Sequence, residues 1–165
     1  MSKITVIGAG SVGATIANDL MVQGIASEIV LIDINKEKAF GEALDIYQAA
    51  PFCSPAIVRC GDYPDATDSD IVVITSGVAR KPGQSRLDLA QTNVNILKDI
   101  TPNIVKVAPK AVYIIVSNPV DILTYVFSKI SGLPEHQIMG SGTILDTSRL
   151  QSTLAKRFHI SPKNV

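Results

Sequence analysis

Residues 4–13 read Ile-Thr-Val-Ile-Gly-Ala-Gly-Ser-Val-Gly, and this stretch decides the fold of the 165-residue chain. An apolar run leads directly into glycines at positions 8, 10 and 13, and helical periodicity begins after them. A G-x-G-x-x-G spacing between a strand and a helix is typical of a turn that presents backbone N–H groups to a pyrophosphate. We expect Gly8 to permit the tight turn, Gly10 to let phosphates approach the backbone, and Gly13 to let the helix pack on the strand.

A second apolar run, residues 29–32, ends on Asp33, about twenty residues after the last of these glycines. A carboxylate at this position can accept hydrogen bonds from an adenosine ribose. It would also repel the 2′-phosphate of NADP, and no arginine follows it immediately. The pattern therefore predicts NAD as the cofactor. An ordinary glycine-rich turn between a strand and a helix is the alternative on spacing alone.

The composition excludes several classes of partner. Lys plus Arg equals Asp plus Glu at 15 each, so no net charge attracts nucleic acid or an anionic membrane. We see no transmembrane run and no secretory signal. Cys53 and Cys60 lack the spacing and the histidine companions of a zinc site, so we expect no metal. We interpret them as reduced thiols of a cytoplasmic protein.

Short runs rich in Val and Ile alternate with longer stretches of helical period. This alternation predicts an α/β Rossmann fold, in which a doubly wound parallel sheet carries helices on both faces. The predicted strands are residues 3–7, 28–32, 56–59, 71–75, 112–116 and 137–139. The predicted helices are residues 11–23, 36–49, 85–106, 121–131 and 145–158. Asn35 is a candidate helix cap, and Pro102 predicts a kink or break in the third helix.

Residues 77–85 read Gly-Val-Ala-Arg-Lys-Pro-Gly-Gln-Ser and directly follow an apolar strand. The loop is either a solvated connection or a mobile flap over the ligand, and its place at a strand's carboxyl end favours the flap. Arg80 and Arg86 could bind a substrate carboxylate or polarise a carbonyl. Taken by themselves, they are more simply interpreted as two solvated surface arginines.

Other polar residues allow two readings each. Asn118 can offer a donor and an acceptor to a ligand at the sheet edge, or it can be a turn residue before proline. Asp146 and Arg149 stand three residues apart, as an ordinary helix ion pair or as a base-orienting acid and a carboxylate clamp. His136 and His159 lack the setting of a catalytic proton carrier, and we expect both at the surface.

Four motifs occur in order along the chain. They are Gly-Ala-Gly-Ser-Val-Gly at 8–13, Arg-Lys-Pro-Gly-Gln-Ser-Arg-Leu-Asp-Leu at 80–89, Ser-Asn-Pro-Val-Asp-Ile-Leu-Thr-Tyr at 117–125 and Gly-Ser-Gly-Thr-Ile-Leu-Asp-Thr-Ser-Arg-Leu at 140–150. Together they resemble the lactate/malate dehydrogenase family, and its bacterial L-lactate dehydrogenase branch in particular. The resemblance spans the whole chain, and four collinear motifs make it specific.

The resemblance implies hydride transfer between NAD and a small 2-oxo or 2-hydroxy acid. It implies that Arg86, Asp146 and Arg149 are catalytic: Arg86 polarises the substrate carbonyl, Arg149 pairs with the substrate carboxylate, and Asp146 orients the catalytic histidine. The implied substrate-binding residues are Arg80, Arg86, Asn118, Asp121 and Arg149. The implied cofactor-binding residues are Gly8, Gly10, Val12, Gly13, Asp33, Lys38, Tyr63, Gly77, Val78, Val116, Asn118 and Ser141.

Two departures from the family pattern matter. The Gly-Glu-His-Gly motif that carries the family's catalytic histidine is missing, so we expect the N-terminal portion of a longer enzyme, inactive alone. Residues 1–144 would form the NAD-binding domain, and residues 145–165 the first helix and linker of the substrate domain. Arg80 occupies the specificity position, where lactate-type members usually carry Gln and malate-type members Arg.

The surrounding motifs look lactate-type, so we favour L-lactate dehydrogenase and keep L-malate dehydrogenase as the alternative. A non-catalytic NAD-binding module is a second alternative. The resemblance also implies that the full-length enzyme is a homo-oligomer, either a tetramer or a dimer.

Overall fold

The computed structural model describes residues 2–79, 83 and 85–165. In this part of the chain, six parallel strands form one sheet in the order β3-β2-β1-β4-β5-β6. The strands are β1 (Lys3–Ile7), β2 (Glu28–Ile32), β3 (Ile57–Cys60), β4 (Ile71–Ile74), β5 (Val112–Ile115) and β6 (Ile138–Gly140). The helices are α1 (Ser11–Val22), α2 (Lys36–Tyr47), α3 (Arg86–Val107), α4 (Val120–Ile130) and α5 (Ile144–Phe158). Short 3₁₀ helices lie at Ala50–Phe52, Tyr63–Ala66, Glu135–Gln137 and Pro162–Asn164.

The central strand β1 is apolar because both of its faces are covered. It pairs with β2 on one side and with β4 on the other, so that Val6 lies between Leu31 and Val73. Ile4, Val6 and Leu31 are buried, as parallel strands between two helical layers require.

Two apolar layers cover the two faces of the sheet. Met21 of α1 and Ala39 of α2 belong to one layer. Ile104 of α3 and Phe127 of α4 belong to the other. The prediction of a doubly wound parallel sheet is therefore confirmed.

The predicted element boundaries agree with the structure. β1 and β2 match residue for residue, and every other helix or strand matches to within two residues at each end. Asn35 caps α2 as predicted, since its side-chain oxygen accepts a 3.0 Å hydrogen bond from the Lys38 N–H. His136 and His159 are both exposed, also as predicted.

Pro102 predicts a kink or a break in the third helix, and the break does not occur, because α3 continues through the proline as one helix. Pro102 lacks the N–H that would serve the previous turn. Neighbouring side chains add hydrogen bonds there: the Thr101 hydroxyl donates to the Leu97 carbonyl at 2.7 Å, and the Asn103 amide donates to the Asp99 carbonyl at 2.8 Å. The turn thus remains hydrogen-bonded around the proline.

The strand order creates a crevice at the carboxyl ends of β1 and β4. The chain moves outward from β1 through β2 to β3, and in the opposite direction from β4 through β5 to β6. The loops after β1 and β4 therefore diverge to opposite faces of the sheet. Such a switch point is where doubly wound sheets bind their ligands.

The last helix, α5, is mostly exposed. Ala155 is its buried residue, while Leu145, Leu150 and Phe158 are each more than half exposed. Within the described residues, no helix has both the length and the apolar character needed to cross a membrane. The same residues contain no group of three or more His, Cys, Asp or Glu side chains that could hold a metal ion.

Candidate dinucleotide-binding site

At two glycines of the turn between β1 and α1, Gly8 and Gly13, there is no room for a side chain. Gly8 has a φ of +107°, and a Cβ there would lie 2.7 Å from the Thr75 hydroxyl oxygen and 2.8 Å from the Ser76 nitrogen. A Cβ at Gly13 would overlap the Gly8 carbonyl oxygen. The turn and the first helical turn thus pack directly on the end of β4, as the glycine spacing predicts.

Gly10 differs from these two, because a Cβ there would meet none of the described atoms within 4 Å. It is the N-cap residue of α1, and no side chain in the described part of the chain caps this helix. The N–H groups of the first turn therefore face open space with a positive helix end behind them. This is a cradle for an anion that can lie directly on the backbone.

Asp33 follows β2 and reaches across to the glycine turn. Its Oδ2 accepts a 2.7 Å hydrogen bond from the Ala9 N–H, and its Oδ1 accepts a 2.8 Å hydrogen bond from the Asn35 N–H. Each carboxylate oxygen keeps a second acceptor position. The carboxylate is thus fixed beside the anion cradle with spare capacity for a sugar hydroxyl.

Two cavities meet at this turn. One of about 690 Å³ extends past Asp33 toward Tyr63 and Ile100. The other, of about 450 Å³, extends past Val12 toward Asn118. Gly10, Thr75, Gly77 and Val78 line both cavities. The two together form one cleft with the anion cradle at their junction, as a dinucleotide with a group on each side of its pyrophosphate requires.

The larger cavity suits an adenosine. Ile34, Ile96 and Ile100 supply apolar walls, and Tyr63 lies among the lining residues. Burial, assisted by the Asp99 carboxylate, raises the pKa of Tyr63, so its ring stays neutral. On the rim, Lys36 Nζ and Asp62 Oδ2 form an exposed ion pair at 2.8 Å.

The smaller cavity is lined by uncharged polar side chains and apolar ones. Asn93 and Asn118 both line it, and the Asn93 side chain joins two of its walls. Asn93 Oδ1 accepts a 2.9 Å hydrogen bond from the Val78 N–H, and Nδ2 donates a 2.7 Å hydrogen bond to the Asn118 carbonyl. The Ser117 hydroxyl donates to the Ser76 carbonyl at 2.6 Å. The loops after β4 and β5 are therefore tied together at this end of the cleft.

Most of the cofactor residues expected from the sequence lie along this cleft. Those on the larger cavity are Gly8, Gly10, Asp33, Lys38, Tyr63, Gly77 and Val78. Those on the smaller cavity alone are Val12, Gly13, Val116 and Asn118. Ser141 is not among the lining residues; it follows β6, and its N–H donates to the Ile115 carbonyl at 2.9 Å. The residues present fit a dinucleotide on the chemistry and space of the cradle itself.

The expected substrate residues are more dispersed. Asp146 and Arg149 form an exposed ion pair on α5, with Nη1 and Oδ1 3.0 Å apart. Asp121 lines a separate cavity of about 420 Å³ between α4 and β6. Arg86 is the first residue of α3. Arg80 lies outside the described residues.

Sequence reasoning missed Asn93 and Thr75. A signal for Asn93 was present: it interrupts the apolar stripe of α3 one helical turn before Leu97, so it is a polar residue at a core position. Thr75 gave no such signal. Its hydroxyl is shared between the Ile7 and Gly8 carbonyl oxygens, at 3.1 and 2.9 Å, and this contact depends on the register of β1 and β4.

Comparison with known proteins gives one consistent result. The family model described as lactate/malate dehydrogenase, NAD binding domain, matches residues 2–140. An L-lactate dehydrogenase of Thermoanaerobacter sp. (strain X514) is 54% identical over 165 residues, which cover 100% of this chain and 53% of that protein. An L-lactate dehydrogenase of Clostridium botulinum (strain Loch Maree / Type A3) is 54% identical over 164 residues, covering 99% and 52%.

Solved structures agree with the sequence relatives. The minor L-lactate dehydrogenase from Enterococcus mundtii superposes with a TM-score of 0.94 at 40% identity, covering 98% of this chain and 52% of that one. The malate dehydrogenase from Picrophilus torridus superposes with a TM-score of 0.92 at 38% identity, covering 98% and 52%. This chain thus spans about half the length of the relatives that it matches.

Proposed function

We propose that this chain, which belongs to the lactate/malate dehydrogenase family, forms the NAD-binding half of an L-lactate dehydrogenase. The observation that carries the proposal is the cleft in which Asp33 lies hydrogen-bonded to the turn that ends at the N-terminus of α1. The region matched by the family model is the family's NAD-binding domain. The 54% identity to L-lactate dehydrogenases supports the lactate activity of the whole enzyme.

Each part of the cleft would have its own task. The N–H groups around Gly10 would hold the pyrophosphate, and the Asp33 carboxylate would accept hydrogen bonds from the adenosine ribose. The apolar walls around Ile96 would hold the adenine, and the cavity beside Asn118 would hold the nicotinamide end. When bound, the nicotinamide would supply or accept the hydride, and the chain would align it and exclude water.

The substrate side rests on residues beyond the cleft. Arg149 would bind the substrate carboxylate through two parallel hydrogen bonds, and Arg86 would polarise the carbonyl that receives the hydride. Asp146 would orient the proton-carrying histidine, and Asn118 and Asp121 would contact the substrate. In this proposal the helix ion pair between Asp146 and Arg149 exchanges its mutual contact for those partners.

The test of cofactor binding uses the chain as it is. The chain contains no Trp, so enhanced nicotinamide fluorescence on titration with NADH reports binding without background from indole. We expect saturable binding of NADH and much weaker binding of NADPH. Equal affinity for the two, or no binding of either, would contradict the proposal.

The test of substrate uses the whole enzyme that contains this chain. L-malate dehydrogenase is the alternative, since Arg80 stands at the specificity position and the Picrophilus malate dehydrogenase superposes closely. We expect kcat/KM for pyruvate to exceed that for oxaloacetate. A hundredfold preference for oxaloacetate, about 2.7 kcal/mol of transition-state discrimination, would establish the malate reaction instead.

Domain division, assembly and location stay predictions. We propose that residues 1–144 form the NAD-binding domain and that 145–165 begin the substrate domain, a division close to residue 140, where the family match ends. The exposed apolar residues of α5 are consistent with contacts to a second domain or subunit, as in a homo-oligomer. Cys53 and Cys60 are free thiols, which suits the reducing cytoplasm.

A further inference from the structure

We infer that Asn93 is a positioning residue that sets the geometry of the nicotinamide half of the cleft by joining the base of the 77–85 loop to the Asn118 turn. This inference rests on the proposed function, because it assumes that the smaller cavity receives the nicotinamide end. It assigns to Asn93 a role in cofactor binding that acts through Val78 and Asn118.

Asn93 is held at a crossing point of three elements. It lies on α3 and is 3% exposed. Its carbonyl oxygen accepts from the Val78 N–H at 2.9 Å, in the loop after β4. Its amide nitrogen donates to the Asn118 carbonyl at 2.7 Å, in the loop after β5. One planar group thus connects two loops that no backbone ladder connects beyond the strand ends.

Neither aspartate nor leucine at position 93 can make both hydrogen bonds of this amide. Aspartate could still accept from Val78, but its carboxylate has no N–H for Asn118 and would face a carbonyl oxygen. Leucine has neither group and would leave both backbone partners unsatisfied. When a partly buried N–H or carbonyl loses its hydrogen-bond partner, the conformation in which that group is buried becomes less stable.

Close packing against Gly77 fixes the position of the Asn93 amide. A Cβ at Gly77 would lie 3.2–3.3 Å from the side-chain atoms of Asn93, so the glycine backbone packs directly on the amide. Asn93, Gly77, Val78 and Asn118 all line the smaller cavity. A shift of the amide would therefore move three walls of that cavity together.

The adenosine half depends less on this contact. Asn93 and Asn118 line the smaller cavity alone, whereas Val78 lines both cavities. The Ala9–Asp33 hydrogen bond that joins Asp33 to the cradle involves neither α3 nor the Asn118 turn. Loss of the Asn93 bridge should therefore weaken the binding of ligands that reach the smaller cavity more than the binding of ligands that stop at the diphosphate.

The experiment compares NADH with ADP on the chain as it is, by isothermal titration calorimetry. ADP occupies the adenosine half and the cradle, and NADH also fills the smaller cavity. For Asn93→Asp we expect the Kd of NADH to rise about tenfold or more, as loss of one hydrogen bond to a fixed partner implies. The Kd of ADP should stay within about twofold of the wild-type value.

Asn95→Asp is the matched control, since it makes the same substitution on the exposed side of the same helix. It should leave both affinities unchanged. Gly77→Ala approaches the bridge from the other side, and it keeps the inference testable if Asn93→Asp fails to fold. Because Gly77 lines both cavities, we expect it to weaken the binding of ADP as well, but to weaken the binding of NADH more.

The outcomes separate this inference from the proposed function. If the wild-type chain binds ADP but gains nothing from the nicotinamide half of NADH, the proposed function fails and the inference fails with it. If the wild type discriminates as expected but Asn93→Asp and Gly77→Ala weaken NADH and ADP equally, only the inference fails. Equal loss would mean that Asn93 serves the stability of the fold and not the position of the cavity walls.

Discussion

The Ala9 N–H donates to the Asp33 carboxylate at 2.7 Å, and this bond joins the turn after β1 to the tip of β2. The anion cradle and the sugar acceptor are therefore fixed relative to each other within the chain itself. A turn and a strand tip that are preorganised in this way need no ordering relative to each other on binding, which lowers the cost of binding. In the proposed binding mode, the same carboxylate sets the charge that a cofactor meets beside its ribose.

Asp33→Asn should narrow the preference for NADH over NADPH. The amide oxygen can still accept from Ala9, but the negative charge is lost and an N–H appears beside the ribose. We expect the affinity for NADH to fall by about 1.5 kcal/mol, the scale of a hydrogen bond to a charged group. NADPH should bind better than it does to the wild type. Fluorescence titration with both cofactors measures the ratio of the NADH and NADPH affinities. Asp45→Asn on the exposed face of α2 is the control. If Asp33→Asn leaves this ratio unchanged, the selectivity depends on other residues.

The same added methyl group should weaken cofactor binding at Gly10 and lower the stability of the fold at Gly13. In Gly10→Ala the methyl enters open space, so the free energy of unfolding should change by about 1 kcal/mol or less. NADH binding should weaken at least tenfold, because the methyl occupies the cradle. In Gly13→Ala the methyl overlaps the Gly8 carbonyl oxygen, and we expect a loss of about 3 kcal/mol or more. Urea unfolding and titration of both variants test this; a Gly10→Ala variant with normal NADH affinity would contradict a pyrophosphate at this point.

Asp65 should make the fold more stable at neutral pH than in acid. Hydrogen bonds from the Asp62 N–H and from Arg59 lower the pKa of Asp65 in the folded chain. The unfolded chain then binds the proton more tightly, so the contribution of Asp65 is complete above about pH 4. It is lost as the pH falls through the lower folded pKa. The difference in unfolding free energy between wild type and Asp65→Asn should therefore shrink from pH 6 to pH 3, whereas Asp45→Asn should show no such trend.

The start of α3 depends on a reciprocal cap between Ser85 and Asp88. The Asp88 N–H donates to the Ser85 hydroxyl at 3.1 Å, and that hydroxyl donates to the Asp88 carboxylate at 2.6 Å. Ser85→Ala should lower the unfolding free energy by about 1 kcal/mol. In the double variant that also carries Asp88→Ala, the loss of unfolding free energy should be smaller than the sum of the losses in the two single variants. Ser148→Ala inside α5 is the control and should cost nothing; full additivity would mean that the two residues act independently.

The sequence predicted the elements well because hydrophobic period and glycine spacing are local signals. β1 and β2 were placed residue for residue, since each is a mostly apolar run that is followed directly by glycine or aspartate. The position of Asp33 beside the glycine turn also followed, because strand tips in a parallel sheet meet at one edge.

What the sequence did not predict has two different origins. Pro102 lies within an unbroken helix, and Thr101 and Asn103 supply local side-chain hydrogen bonds around it that no propensity scale records. Asn93 was overlooked since its two partners come 15 residues before it and 25 residues after it. The roles of Arg149 and Asp146 came from the resemblance alone, and their exposed ion pair is what a simple reading of their spacing also predicts.

Thr75 lines both halves of the cleft and is part of the wall that they share. Its hydroxyl occupies the volume that side chains at Gly8 and Gly13 would need, so three positions from two distant segments limit one another's size. Redesign of coenzyme preference should leave Thr75, Gly8 and Gly13 unchanged, because any enlargement there would disturb both halves of the cleft at once. The two halves can be altered separately, through Asp33 in the larger cavity and Asn93 in the smaller one.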